Sequence, residues 1–131
     1  MVLTTEILDA LSAKAKASER LRMNLDLRTS LDDQSQRMLN AMEPGTQLPI
    51  HRHPTTSETI VLLRGSIKEM FYDNEGNLTE SIVLKAGTEP CAMSIPKGVW
   101  HNLECLEPGT ILFEAKDGAF EPRRDEDTMT I

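Results

Sequence analysis

The sequence is poor in aromatic residues, cysteine and histidine, and each shortage closes off a class of protein. Aromatics make up 4% of the chain, so any core must be mainly aliphatic, with the seven methionines filling irregular gaps. The two cysteines, Cys91 and Cys105, stand in no CxxC or zinc-ribbon spacing. A disulfide-stapled scaffold of this size would need more of them, so two reduced thiols are expected. No apolar run approaches the ~18 residues of a membrane span. The opening MVLTTEIL has neither a basic n-region nor a long apolar h-region. No secretory signal is expected, and a soluble, cytoplasmic protein is the default. Positive charge is not in excess either. The formal net charge is −7, which disfavours nucleic acid and anionic membranes as partners, since both require clustered Lys and Arg.

What remains is one ordinary globular domain of 131 residues, 39% hydrophobic and 27% charged. Thr4 to Glu19 reads as a helix. Thr4 or Thr5 can cap it, Glu6 suits the positive end of its dipole, and Ile7, Leu8, Leu11 and Ala15 form an apolar stripe at helical spacing. From Leu21 onward the pattern changes to short runs separated by turns. Strands are expected at Arg37 to Met42, Glu58 to Leu63, Ile67 to Tyr72, Leu78 to Leu84, Ala92 to Ile95, Val99 to Leu106 and Thr110 to Ala115. Asp73-Asn74-Glu75-Gly76-Asn77 is a hairpin signal. The turn spacing is that of an all-β antiparallel sandwich or barrel. Glu121 to Asp127 reads as a solvated, partly ordered end.

The three histidines carry the chemistry. Two stand in His51-Arg52-His53 and the third is His101. Alternate residues of a strand share a face, so His51 and His53 would project together, about 7 Å apart, with Arg52 pointing away. Pro54 ends that strand, Thr55 to Ser57 turn the chain, and Glu58 opens the next strand, where its carboxylate can return to the same ion. Three neutral imidazoles and a carboxylate suit a first-row divalent metal such as Zn, Fe, Mn, Ni or Cu, and zinc is the first expectation. A bare surface His-x-His means little. Here every histidine falls into one spaced pattern: Gly45, His51-x-His53, Glu58 and Gly65, followed by Pro96-x-Gly98-x-x-His101.

That pattern resembles the two motifs of the cupin superfamily. The second departs from it twice, with Pro90 where a leading Gly is expected and Cys105 where a trailing Asn is expected. Neither position supplies a metal ligand in the pattern. Further strings, Arg22-Met23-Asn24-Leu25, Gln36 to Met42, Pro44-Gly45-Thr46 and Phe113 to Gly118, are similar to the WbuC family of small cupin-fold metalloproteins. The resemblance implies a cupin fold, a double-stranded β-helix or jelly-roll barrel, over residues 21–120. An N-terminal helix (1–20) would pack on the barrel or a dimer partner, and a tail would run over 121–131. It implies one metal held by His51, His53, Glu58 and His101. It also suggests a role near surface-polysaccharide metabolism without defining a reaction, since this fold hosts isomerases, lyases, dioxygenases and simple binding proteins.

Strand alternation suggests a pocket. If Glu58 and His101 face inward, so do Ile60, Leu62, Val99 and Leu103, an apolar lining beneath the metal; Cys105 belongs to the same wall. Arg37 or Asn40 is the polar group expected to meet an anionic or hydroxylated ligand. Two functions fit: a metal-dependent enzyme on a sugar or carboxylate metabolite, or a non-catalytic ligand-binding or sensing module. No spare histidine offers a second catalytic group, and Tyr72 is expected near a hairpin tip. A small-molecule ligand and a homodimer are the expected partners.

Overall fold

The computed structural model of the chain describes residues 1–129. Its single long helix, α1 (Thr5–Ala17), is capped as its sequence requires: the Thr4 hydroxyl accepts from the Ile7 N–H at 3.3 Å, with Glu6 in the first turn and Lys14 and Lys16 in the last. Eight strands follow: β1 (Arg22–Asp26), β2 (Gln36–Met42), β3 (Glu58–Arg64), β4 (Ser66–Tyr72), β5 (Leu78–Lys85), β6 (Ala92–Ile95), β7 (Trp100–Cys105) and β8 (Thr110–Lys116). They form two antiparallel sheets, β1-β2-β8-β3-β6 and β5-β4-β7.

The two sheets enclose an aliphatic core of Met42, Ile60, Leu62, Ile67, Leu84, Ile95, Cys105 and Leu112. A second apolar cluster lies on the other face of the large sheet, where Leu11 and Ala15 of α1 cover Leu39, Ala41 and Ile111. The helix therefore packs on its own domain. Because both faces of β2 are covered, its run Leu39 to Met42 is buried throughout.

Gly65 makes the β3–β4 corner possible. Its φ is +71°, and a Cβ there would collide with the hydroxyl and backbone of Thr110.

Three features differ from the sequence reading. β1 was not among the expected strands; it pairs Arg22 with Met42 and Asp26 with Met38 along the sheet edge. The segment of His51 and His53 is extended but joins no sheet. His51 instead exchanges backbone hydrogen bonds with His101, at 3.0 and 2.8 Å, and the Gly98 N–H donates to the His53 carbonyl at 2.8 Å. Finally, the end of the C-terminal segment, Asp127 to Met129, returns to the barrel mouth. The Arg52 guanidinium meets the buried Asp127 at 2.8 Å, and the Met129 N–H donates to the Ile50 carbonyl at 2.8 Å. Residues 121–126 remain exposed.

Candidate metal centre

His51 and His53 come from the extended segment, Glu58 from the start of β3 and His101 from β7. The reciprocal backbone bonds between His51 and His101 bring the two motifs together, and the turn at Gly98 (φ +81°) ties His53 to the same place. The ligand atoms of His51, His53 and His101 lie within 4.8 Å of one another. Glu58 stands beside them: its Oε2 is 3.5 Å from His53 Nε2, and its Oε1 is 4.0 Å from His101 Nε2. Arg52 points away, with its guanidinium 4.5 Å from the centre of the Trp100 ring.

The hydrogen bonds around the rings suit metal ligation. His51 Nδ1 lies 2.9 Å from the Pro49 carbonyl oxygen, which can only accept, so Nδ1 carries the proton and Nε2 keeps its lone pair. His101 Nδ1 lies 2.8 Å from Glu69 Oε1, while its Nε2 is buried without any hydrogen-bond partner. A buried lone pair with nothing to receive is costly unless a ligand satisfies it. A carboxylate behind a ring nitrogen is also the arrangement that orients metal-binding histidines.

The electrostatics argue the same way. Burial lowers His51 and His53 to about 3 and His101 to about 4, so all three are neutral ligands near pH 7. Burial, reinforced by the negative charge of Glu114, raises Glu58 to about 8 and Glu69 to about 9. The cation facing Glu58 is Lys116, 3.8 Å away, and Lys116 is shared with Glu114, also 3.8 Å away. Two buried carboxyls crowded in this way favour a bound cation, which would reverse the upward shift of Glu58, the one placed to ligate it. The donor set and its surroundings thus fit a divalent metal ion.

The histidines and Glu58 line a cavity of about 280 Å³ at the barrel mouth. Of the expected pocket residues, Asn40 and Leu103 line it. Ile60, Leu62 and Cys105 face inward on the correct parity but lie deeper, in the packed core, and Val99 packs against that core. Arg37 lies on the other parity of β2 and pairs with Asp33 at 2.6 Å. Lining residues that the sequence reading missed include Gln36, Glu69, Glu114 and Lys116. Glu69 had a visible signal, being a charge between Ile67 and Phe71 on the inward parity of an apolar strand.

Residues 3–84 match the model of a family described as a domain of unknown function, DUF6016. This chain belongs to the DUF6016 family. No curated protein matches its sequence. Among solved structures, an oxalate oxidase in complex with the substrate analogue glycolate is similar with a TM-score of 0.59 and 16% identity, over 79% of this chain and 54% of that one. Oxalate decarboxylase from Bacillus subtilis at pH 4.6 gives 0.59 and 18%, over 84% and 27%. Peruvianin-I, described as a cysteine peptidase from Thevetia peruviana latex, gives 0.63 and 17%, over 82% and 68%. The DUF6016 chain thus spans about half of the oxidase and about a quarter of the decarboxylase. At these identities the likeness is one of fold. The fold is that of a cupin, and the three histidines form a site able to bind metal.

Proposed function

We propose that this DUF6016 protein binds one divalent transition metal, zinc first, through His51, His53, Glu58 and His101, and uses it on a small oxygen-rich metabolite. The observation that carries this reading is the orphaned His101 Nε2, buried among two further imidazoles and a carboxylate at the wall of a cavity. A bound divalent ion supplies a Lewis acid that polarises a carbonyl or hydroxyl. The chain's own residues hold Nδ1 of His51 and of His101 against an oxygen and leave Nε2 free on the cavity side. Glu114 and Lys116 stand beside Glu58 at the cavity wall as further ionisable groups. We read the pair as favouring an enzyme over a passive binding or sensing module: an isomerase or lyase with zinc, or a dioxygenase if the ion is iron or manganese.

The resemblance of Gln36 to Met42 and Phe113 to Gly118 to the WbuC family supports a sugar or carboxylate substrate linked to surface polysaccharide. Among the described residues no helix is long and apolar enough to cross a membrane. A cytoplasmic location is part of the proposal. We also propose a homodimer, because β5 is an edge strand that leaves Leu78 and Val83 exposed. Elemental analysis of protein purified without a metal-affinity tag tests the metal. About one zinc per chain is expected for a four-ligand site of this kind, and preparations that never carry a transition metal would refute it.

A further inference from the structure

We propose that the mouth of the metal cavity is a phosphoryl-binding subsite built by Arg20, Arg22 and Arg123, so that the ligand is a small phosphorylated hydroxy compound. For the far end of that ligand the inference rests on the metal reading above.

The chain has arginines at positions 20, 22, 28, 37, 52, 64, 123 and 124. Arg28, Arg37, Arg52, Arg64 and Arg124 each pair with a carboxylate. Arg20, Arg22 and Arg123 form no such pair among the described residues, and these same three line the cavity that holds the histidines. Arg20 and Arg22 come from the one short connection between α1 and β1, and Arg123 comes from the returning C-terminal segment. Leu21, between the first two, has a left-handed backbone with φ +57°. Arg22 Nη1 is steadied by the Gln47 carbonyl at 3.1 Å. Its guanidinium is pulled below the usual range by burial and then by the positive charges of Arg20 and Arg123, so the three cations feel one another across the mouth. The cavity's acids are engaged elsewhere: Glu69 with His101, and Glu58 and Glu114 with Lys116.

Three unpaired guanidiniums repel one another and bring more charge than a monocarboxylate neutralises. A phosphate monoester carries about −1.5 to −2 at pH 7 and offers three acceptor oxygens. The guanidinium fork matches such an anion with two parallel hydrogen bonds. The neighbouring imidazoles set the opposite requirement, an oxygen donor for a metal. Together they describe a ligand with hydroxyl or carboxylate oxygens at one end and a phosphoryl group at the other.

The test is calorimetric titration of the full chain with inorganic phosphate, glycerate and 3-phosphoglycerate, with metal content measured on each preparation. The metal-loaded protein should bind 3-phosphoglycerate at least about tenfold more tightly than glycerate, the effect of one or two charge-assisted hydrogen bonds. Arg22→Gln and Arg123→Gln should each erase most of that preference while keeping metal content and glycerate affinity. Inorganic phosphate should bind the metal-stripped protein with the same dependence on Arg22 and Arg123. Equal affinity for the two acids, or a preference that survives both substitutions, would overturn the subsite while leaving the metal site intact. Arg-dependent phosphate binding by a protein that never holds metal would support the subsite and refute the metal reading.

Discussion

The two ends of the barrel are built from the same strands and do opposite work. β3 contributes Glu58 to the mouth and Ile60 and Leu62 to the interior. β7 contributes His101 to the mouth and Cys105 to the interior, and β4 contributes Glu69 and Ile67 in the same way. At the filled end Ile67, Leu84 and Leu112 have no solvent exposure at all and touch other aliphatic groups. At the mouth, His101 and Glu69 are nearly as buried, yet each keeps a polar atom without a hydrogen-bond partner. One end lowers the free energy of the fold. The other holds groups that would be better solvated outside, and only that end has a reason to bind something.

Substitution should separate the two ends most sharply. Ile67→Ala or Leu112→Ala leaves a cavity in a packed interior and should cost about 2–5 kcal/mol of unfolding free energy. His101→Ala should abolish tight metal binding while the metal-free protein stays folded. Urea titration with metal analysis on each variant reads both quantities. If His101→Ala unfolded the metal-free chain and Leu112→Ala were harmless, the division between the ends would be lost.

Chelation and pH should give the next largest effect. In the metal-free protein Glu58 and Glu69 titrate near 8 and 9, against 4.5 in the unfolded chain. A raised carboxyl favours the fold fully below 4.5, and that contribution drains away as pH rises to 8–9. The histidines have the opposite sign. Lowered from 6.5 to about 3 or 4, they favour the fold above 6.5 and lose that contribution as pH falls. Between pH 6.5 and 9 only the carboxyl effect changes, so the metal-free protein should lose stability over that range. The metal-loaded protein should lose less, because its Glu58 is already ionised and only Glu69 is left to titrate. Binding metal at pH 7 should also release close to one proton, from Glu58 and not from the histidines. Calorimetry in two buffers of different ionisation enthalpy measures that proton, and Glu58→Gln should remove it.

The smallest effect concerns the group behind His101. Glu69→Leu removes the acceptor for Nδ1 and should weaken metal affinity by about 10–100-fold, the usual range for such partners. Glu69→Gln keeps an oxygen acceptor and should weaken it less. Equal losses in the two variants would mean that the carboxyl matters for its charge alone.

The histidines and Glu58 were legible because their spacing carries them: alternation puts His51 and His53 together, and a Pro and a Gly set the turns around them. Alternation also assigned Ile60 and Leu62 to the right face. It could not say how deep they lie, since depth depends on which strands close the end, and there Leu84 and Leu112 fill the space. On β2 the parity itself was ambiguous, because α1 covers the outer face and makes both faces apolar; Asn40 reaches the cavity and Arg37 does not. The C-terminal segment was illegible for another reason. Its composition is that of a solvated tail, and its return to the mouth rests on tertiary contacts, Asp127 with Arg52 and Met129 with Ile50. Arg20 and Arg22 are close in sequence, but Arg123 joins them at the cavity through tertiary structure alone, and no local pattern announces it.

The most direct test of the metal centre is ion binding by a variant that keeps the fold and loses two of the imidazoles. The wild-type chain and His51→Ala/His101→Ala, both stripped and confirmed folded by circular dichroism, would be dialysed against zinc and then assayed for bound metal. The wild type should take up about one ion per chain, as four converging protein donors require, and the double variant almost none. Full uptake by the double variant would contradict the site.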